Sequence, residues 1–411
     1  MIYRVNPPTE AINVNLDIPS SKSISNRLLI LHRLSQSAGV IRNPSDSDDT
    51  EVMQRALSSD TKVKDVGHAG TSMRFLCAFY SSQPGEVILT GSQRMKERPI
   101  GPLVDALKLM GADIQYQDRA GYPPLKIKGK TLKGGKLHID GSVSSQFISA
   151  LLMIAPLMEH GLHLILEGKI VSRSYIQMTI ELMKRFGAQV RWEDQGILVQ
   201  NASYNPLDIV VESDWSAASY WYSIAQLYRG GKLQLRYFEN NSLQGDHILM
   251  GIYEKLGIQS VLDSGSLTLS EMENVRNPDL FTLDLNSSPD LVQSLSVNLC
   301  LSSIPFRFTG TQTLRIKETD RIDALQTEMA KLGYVLESDK AGSFLSWQGD
   351  HCEAEEDPLI ETYHDHRMAM AFAPAALRLG SIRINDPGVV SKSYPKYWDD
   401  LRKAGFRVTP E

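Results

Sequence analysis

One unit recurs along the 411-residue chain: an amphipathic helical segment, a glycine, then a short alternating run. It reads ALKLMGADIQ around Gly111, ELMKRFGAQV around Gly187, YEKLGIQSV around Gly257, MAKLGYVLE around Gly333 and LRKAGFRV around Gly405. The spacings are 76, 70, 76 and 72 residues. Each glycine stands where a helix would end in a left-handed residue, often with Lys or Arg in the last turn. A single such ending constrains little. Five at near-constant spacing make the chain a repeat protein.

A second unit interleaves with the first: a polar cluster followed by a mostly apolar, small-residue helix. It appears at SKSISNRLLILHRL, GTSMRFLCAFY, SSQFISALLMIAPL, WSAASYWYSIAQL, PDLVQSLSVNLCL and DHRMAMAFAPAAL. With Ser23, Gly70, Ser145, Ser216, Asp290 and Asp365 as markers, the spacings are 47, 75, 71, 74 and 75. Six copies of this helix and five glycine endings imply six repeats, the first abbreviated; residues 52–65 lie where its ending should be and hold no glycine. The helices are apolar nearly all round, which predicts burial with their polar starts turned toward something shared. Strands such as EVILTG, GLHLILEG and SIRIND follow them, so the class is α/β.

Charge narrows the partners. With 43 Lys+Arg against 48 Asp+Glu the net charge is −5, and 42% of residues are hydrophobic. That composition excludes a disordered chain. The acidic balance argues against nucleic acid or an anionic membrane as partner. Cys77, Cys300 and Cys352 form no CxxC pair, which points to a reducing compartment without structural zinc. The N-terminal segment lacks an apolar signal region or transit character, and no apolar stretch reaches 18 residues, so a cytoplasmic protein is expected.

A helix start offers unpaired N–H groups and partial positive charge, and several starts here add cations: Lys22 and Arg27, Arg74, His366 and Arg367. Serine and aspartate at such starts are explained by capping alone, but the neighbouring Lys, Arg and Gln are not. Between helices, Arg94, Lys96 and Arg98 recur at spacing two, which in an extended segment shares one face. Lys317 and Arg321 are i and i+4 on an expected helix, a repulsive pair unless an anion lies between them. Together these point to a small polyanionic ligand. His364 and His366 diverge at i and i+2, so no metal site is expected there.

The runs PSSKSISNR, AGTSMR, RMKERPIG, DGSVSSQF, RIKETDR and DHRMAM, in that order, resemble the enolpyruvyl transferase family, and within it the 5-enolpyruvylshikimate-3-phosphate synthases. The resemblance covers the chain from about Ser20 to Lys392. It implies a two-domain enolpyruvyl transferase fold, an inside-out α/β barrel of six βαβαββ-like repeats, three per domain. One domain would span 20–243 and the other 1–19 with 244–411. It further implies transfer of the enolpyruvyl group of phosphoenolpyruvate to the 5-hydroxyl of shikimate 3-phosphate through a tetrahedral intermediate, in aromatic amino acid biosynthesis. No cofactor or metal is implied, and a monomer is expected.

Carried over by position, Lys22, Ser23, Arg27, Ser144, Ser145, Gln146, Ser172, Tyr175, Asp290 and Lys317 match the shikimate 3-phosphate contacts. Lys22, Gly70, Arg98, Gln146, Arg321, Arg367 and Lys392 match the phosphoenolpyruvate side. Two phosphates at about −1.5 to −2 each and two carboxylates total roughly −5 to −6, against seven matched cations. Asp290 is the expected base at the 5-hydroxyl; Glu318, with Lys22, is expected to move the proton at the methylene carbon. His68 stands where the family often has Asn, Phe75 where it has Pro and Thr313 where it has Asn. Gly70 leaves room for the phosphonate inhibitor glyphosate. The UDP-N-acetylglucosamine enolpyruvyl transferases are the nearest alternative, but the loop before Arg98 holds no cysteine. An RNA 3′-terminal phosphate cyclase would need a basic surface.

Overall fold

The computed structural model describes residues 1–36, 39–142, 144–194, 196–228, 230–273 and 275–411. Residue 143 of the DGSVSSQF run is thus outside the described residues. The chain divides into two compact units, Ser20–Val211 and Met1–Pro19 with Glu212–Glu411.

All six polar-headed segments are helical: Lys22–Leu34, Gly70–Ser82, Ser145–Ile154, Trp215–Tyr228, Val292–Leu301 and His366–Phe372. They are the buried elements, Val292–Leu301 on every residue. Pro374 ends the last one, which passes into a 3-10 turn at Ala373–Ala375. The five glycine endings follow the helices Gly101–Leu109, Arg173–Arg185, Leu249–Glu254, Arg321–Lys331 and Tyr397–Lys403. Each glycine has φ between +87° and +99°, a conformation that a side chain would strain.

Among the described residues the strands form five four-stranded sheets and one two-stranded sheet. The five share a pattern. In each, one strand of a parallel pair carries two further antiparallel strands, and in four of them the parallel pair is joined across a buried helix, as in Val63–Asp65, Gly85–Thr90, Leu125–Gly129 and Asp113–Tyr116. The two-stranded sheet pairs Ile41–Arg42 with Ile209–Val210 in parallel, and the helix near it, Asp48–Ser58, ends on Ser59 rather than glycine. Within each unit the helices pack on one another and the sheets lie outside them. Each sheet is open, so among the described residues no sheet closes into a hydrogen-bonded barrel.

The boundary expected at 243 falls instead at 211. The cause is strand pairing: Lys232–Arg236 runs parallel to Asn13–Leu16, and helix Trp215–Tyr228 packs beneath that sheet. In the same unit Ile2–Asn6 lies between Ile382–Asn385 and Arg407–Pro410, completing the last sheet with the start of the chain. No helix among the described residues is long and apolar enough to cross a membrane.

Candidate active site

In the Ser20–Val211 unit the helix starts meet at one end. Gln146 Nε2 donates to Thr71 Oγ1 at 3.2 Å, joining the second residues of two helices. One turn deeper, Arg27 is buried at the junction of four helices. Its Nε donates to Thr179 Oγ1 at 2.7 Å, Nη1 to the Ser23 carbonyl at 2.9 Å, and Nη2 to Ser149 Oγ at 3.2 Å and the Tyr175 carbonyl at 3.3 Å. Phe75 and Tyr175 present their rings to the guanidinium. Burial without a carboxylate lowers its pKa to about 10. Phe75, where the family has Pro, therefore packs its ring on Arg27.

Lys22, the first residue of its helix, lies 3.3 Å from Asp49 Oδ2. Ser144 caps the helix that begins at Ser145 and accepts from the Gln146 N–H at 3.3 Å. Ser172 precedes Arg173–Arg185 with a left-handed φ of 52°. A β-carbon at Gly70 would lie 2.6 Å from Arg98 Nη1, so the missing side chain is what lets this guanidinium approach the helix start. His68 Nδ1 and Ser92 Oγ are 2.9 Å apart. The basic cluster around Arg98 is not extended as expected: Ser92 caps a short helix, Gln93–Lys96, by accepting from the Met95 N–H. Arg94 instead faces Glu97 at 3.3 Å.

In the other unit six charged side chains converge. Arg321, 2% exposed, reaches Asp365 Oδ2 at 2.7 Å, Glu318 Oε2 at 2.9 Å and Asp290 Oδ1 at 3.1 Å. Arg367 Nη2 lies 2.9 Å from Asp290 Oδ2, and Lys317 Nζ 3.9 Å from Asp290 Oδ1. Lys317 and Arg321 do not share a helix. Asp320 caps the later helix by accepting from the Ile322 and Asp323 N–H groups, so the helix opens at Arg321 and Lys317 is extended. The two cations still converge, on Asp290.

Desolvation opposes charge on Arg321, but Asp365, Glu318 and Asp290 raise its pKa. Desolvation lowers the pKa of Lys317; Asp290 opposes this and Arg321 adds to it. Lys392 donates to the His364 carbonyl at 2.6 Å, its turn packed on helix His366–Phe372. Thr313 lies in the turn Gln312–Ile316 just before Lys317.

Two polar residues beside Arg367 escaped the sequence reading. Ser216, the second residue of its helix, is 3.5 Å from Arg367 Nη2 and donates to Asp246 Oδ2 at 2.5 Å. Asp246 is 4% exposed, and burial, reinforced by Asp290, raises its pKa to about 7. The only available signal was Ser216 as a marker of the repeat; Asp246 lies in a QGD turn without a distinctive pattern.

Cation-lined helix starts on a frame of outer sheets, with carboxylates set among the cations, define an α/β protein suited to holding anions. Residues 7–59 and 54–401 match the family described as EPSP synthase (3-phosphoshikimate 1-carboxyvinyltransferase). The chain belongs to that family. A 3-phosphoshikimate 1-carboxyvinyltransferase from Bacteroides fragilis strain YCH46 is 50% identical over 409 residues, covering 99% of both chains. The one from Vibrio atlanticus strain LGP32 is 37% identical, covering 96% of this chain and 97% of the other. A solved EPSP synthase from Acinetobacter baumannii shares the fold, with a TM-score of 0.77, 22% identity and complete coverage of both chains.

Proposed function

We propose that the chain transfers the enolpyruvyl group of phosphoenolpyruvate to the 5-hydroxyl of shikimate 3-phosphate and releases phosphate. The observation that carries this reading is the shared use of Arg321: its guanidinium binds both Asp290 and Glu318, so two carboxylates of different surroundings attend one cation. Chain membership in the EPSP synthase family supports the substrate pair.

Asp290 takes the proton of the 5-hydroxyl as its oxygen forms a bond to C2 of phosphoenolpyruvate. C3 receives a proton, giving a tetrahedral ketal phosphate; loss of a C3 proton and cleavage of the C2–O–phosphate bond then regenerate the enol ether. Glu318 and Lys22 are the proton carriers at C3. Arg98, Arg321, Arg367 and Lys392 hold the carboxylate and phosphate of phosphoenolpyruvate, with Gly70 giving access to Arg98. Lys22, Ser23, Arg27, Ser144, Ser145, Gln146, Ser172, Tyr175, Asp290 and Lys317 hold shikimate 3-phosphate, Lys22 and Gln146 serving both ligands. We place the reaction in the cytoplasm, where Cys77 and Cys300 remain buried thiols; burial pushes the Cys77 thiol up to about 12.

Phosphate release measured with phosphoenolpyruvate and shikimate 3-phosphate, with a UDP-sugar acceptor in a parallel reaction, tests the reading. Release is expected with shikimate 3-phosphate alone of the two acceptors. Release only with the UDP-sugar would overturn it.

A further inference from the structure

Arg367 is held from two sides by unlike groups. Asp290 takes one hydrogen of Nη2 at 2.9 Å and its backbone carbonyl accepts from Nη1 at 3.3 Å. Ser216 Oγ lies 3.5 Å from the same Nη2. A hydroxyl has one hydrogen, and that of Ser216 is directed at Asp246, which leaves an oxygen lone pair for the guanidinium. Remove the Asp246 acceptor and the hydroxyl can rotate, turning its hydrogen toward the cation.

The turn bearing Asp246 is itself fastened to the start of helix Trp215–Tyr228. Gln244 Oε1 accepts from the Trp215 N–H at 3.0 Å, and Gln244 Nε2 donates to the Ser213 carbonyl at 2.8 Å. His247 rests edge-on against Trp215. Nothing in the proposed chemistry uses these contacts.

We propose that Ser216 and Asp246 are positioning residues for Arg367, with Asp246 fixing the Ser216 hydroxyl and Ser216 fixing the guanidinium in the orientation that receives phosphoenolpyruvate. The proposal rests on Arg367 binding that ligand. Asp246 Oδ1 has no hydrogen-bond partner among the described residues, and its carboxyl is buried. An amide or a neutral acid satisfies such a site better than a carboxylate. The charged groups acting on Asp246 are Asp290 and Asp214, which favour the neutral form, and Arg367, which opposes it; His247 adjoins it on its own turn. With its pKa near 7, rising pH places a negative charge behind Arg367. That charge draws the guanidinium back and weakens its attraction for an anionic ligand.

The test is steady-state phosphate release by the full chain between pH 6 and 8.5, with KM measured for each substrate. In Ser216→Ala, KM for phosphoenolpyruvate should rise about three- to tenfold, the effect of losing one modest hydrogen bond, while KM for shikimate 3-phosphate stays within about twofold. In Asp246→Asn the amide oxygen still accepts from Ser216, so the rise of wild-type KM for phosphoenolpyruvate above pH 7 should disappear. Arg367→Lys serves as the reference. If it raises KM for phosphoenolpyruvate while Ser216→Ala and Asp246→Asn match wild type at every pH, the positioning role is overturned and the site reading stands. If Arg367→Lys leaves that KM unchanged, both are overturned. A lowered melting temperature with unchanged KM values and pH profile would show the two residues to be structural only and would also overturn it.

Discussion

Arg367 and Asp290 are joined twice: the guanidinium meets the carboxylate at 2.9 Å and donates to the same residue's backbone carbonyl at 3.3 Å. Arg321 and Lys317 share that carboxylate from the other oxygen. A carboxylate held by three cations cannot wander, which suits the proton removal proposed for it, from a hydroxyl that must lie in one place. The same cations are counterbalanced by Asp290, Glu318 and Asp365, so the cluster carries three positive and three negative side chains.

Asp290→Asn keeps the shape and an acceptor for Arg367 but removes the base. We expect kcat to fall about 10²- to 10⁴-fold, with KM for shikimate 3-phosphate changed far less. Stopped-flow and steady-state phosphate release would measure both. A kcat within tenfold of wild type would remove Asp290 from the proton transfer.

Gly70→Ala places a methyl group 2.6 Å from Arg98 Nη1. The obstacle is the far end of a flexible side chain, so the protein should fold and the guanidinium should give way. Displacement by about 1 Å can cost about 100-fold in a positioned reaction. KM for phosphoenolpyruvate is expected to rise at least about tenfold, and competitive inhibition by glyphosate to weaken in parallel. Equal kinetics in the alanine variant would show that Arg98 does not need this approach.

The repeat was legible because its signals are local. A glycine at φ near +90° and an apolar helix are written in a few neighbouring residues, and Gly111, Gly187, Gly257, Gly333 and Gly405 all end helices as read. The boundary at 211 was not legible, since it depends on Asn13–Leu16 pairing with a strand more than 200 residues away. The cations of the site, with Asp290 and Glu318, are legible in the sequence. Two further counter-charges are harder to see: Asp365 stands at a helix start where a cap alone would explain it, and Asp49 belongs to an acidic run that looks like a solvated face. The spacing of Lys317 and Arg321 marks the pair but misplaces Lys317 on the helix, because Asp320 caps the helix one residue before Arg321. Asp246 was invisible, as its chemistry comes from burial and from Ser216, Asp290 and Arg367 rather than from its neighbours in sequence.

Arg27 offers a separate test of the Ser20–Val211 unit. Its four hydrogen bonds all go to neutral oxygens, and burial lowers its pKa to about 10. An anion bound nearby would relieve that penalty. In Arg27→Met, Thr179 and Ser149 retain their mutual hydrogen bond of 2.8 Å, so the site is not left wholly unsatisfied. KM for shikimate 3-phosphate should rise about ten- to 100-fold, as for loss of a hydrogen bond to a charged group. The rise in melting temperature that shikimate 3-phosphate gives the wild type should shrink correspondingly. Wild-type values for both would confine Arg27 to a structural role.

Asp246 also makes a prediction about stability that is independent of turnover. Its pKa is about 7 in the folded chain, against about 3.9 for an unperturbed aspartate. Between these values the folded state binds the proton more tightly than the unfolded state does. Stability from this group is therefore present at low pH and lost as pH rises from about 4 to about 7. Each unit of separation corresponds to about 1.4 kcal/mol, so the loss reaches about 4 kcal/mol at most. Asp246→Asn, which cannot ionise, should be no more stable than wild type at pH 4.5 and more stable at pH 8. Urea unfolding of both proteins at the two pH values measures the difference. A stability gap between variant and wild type that is the same at pH 4.5 and pH 8 would show that Asp246 does not titrate in this range.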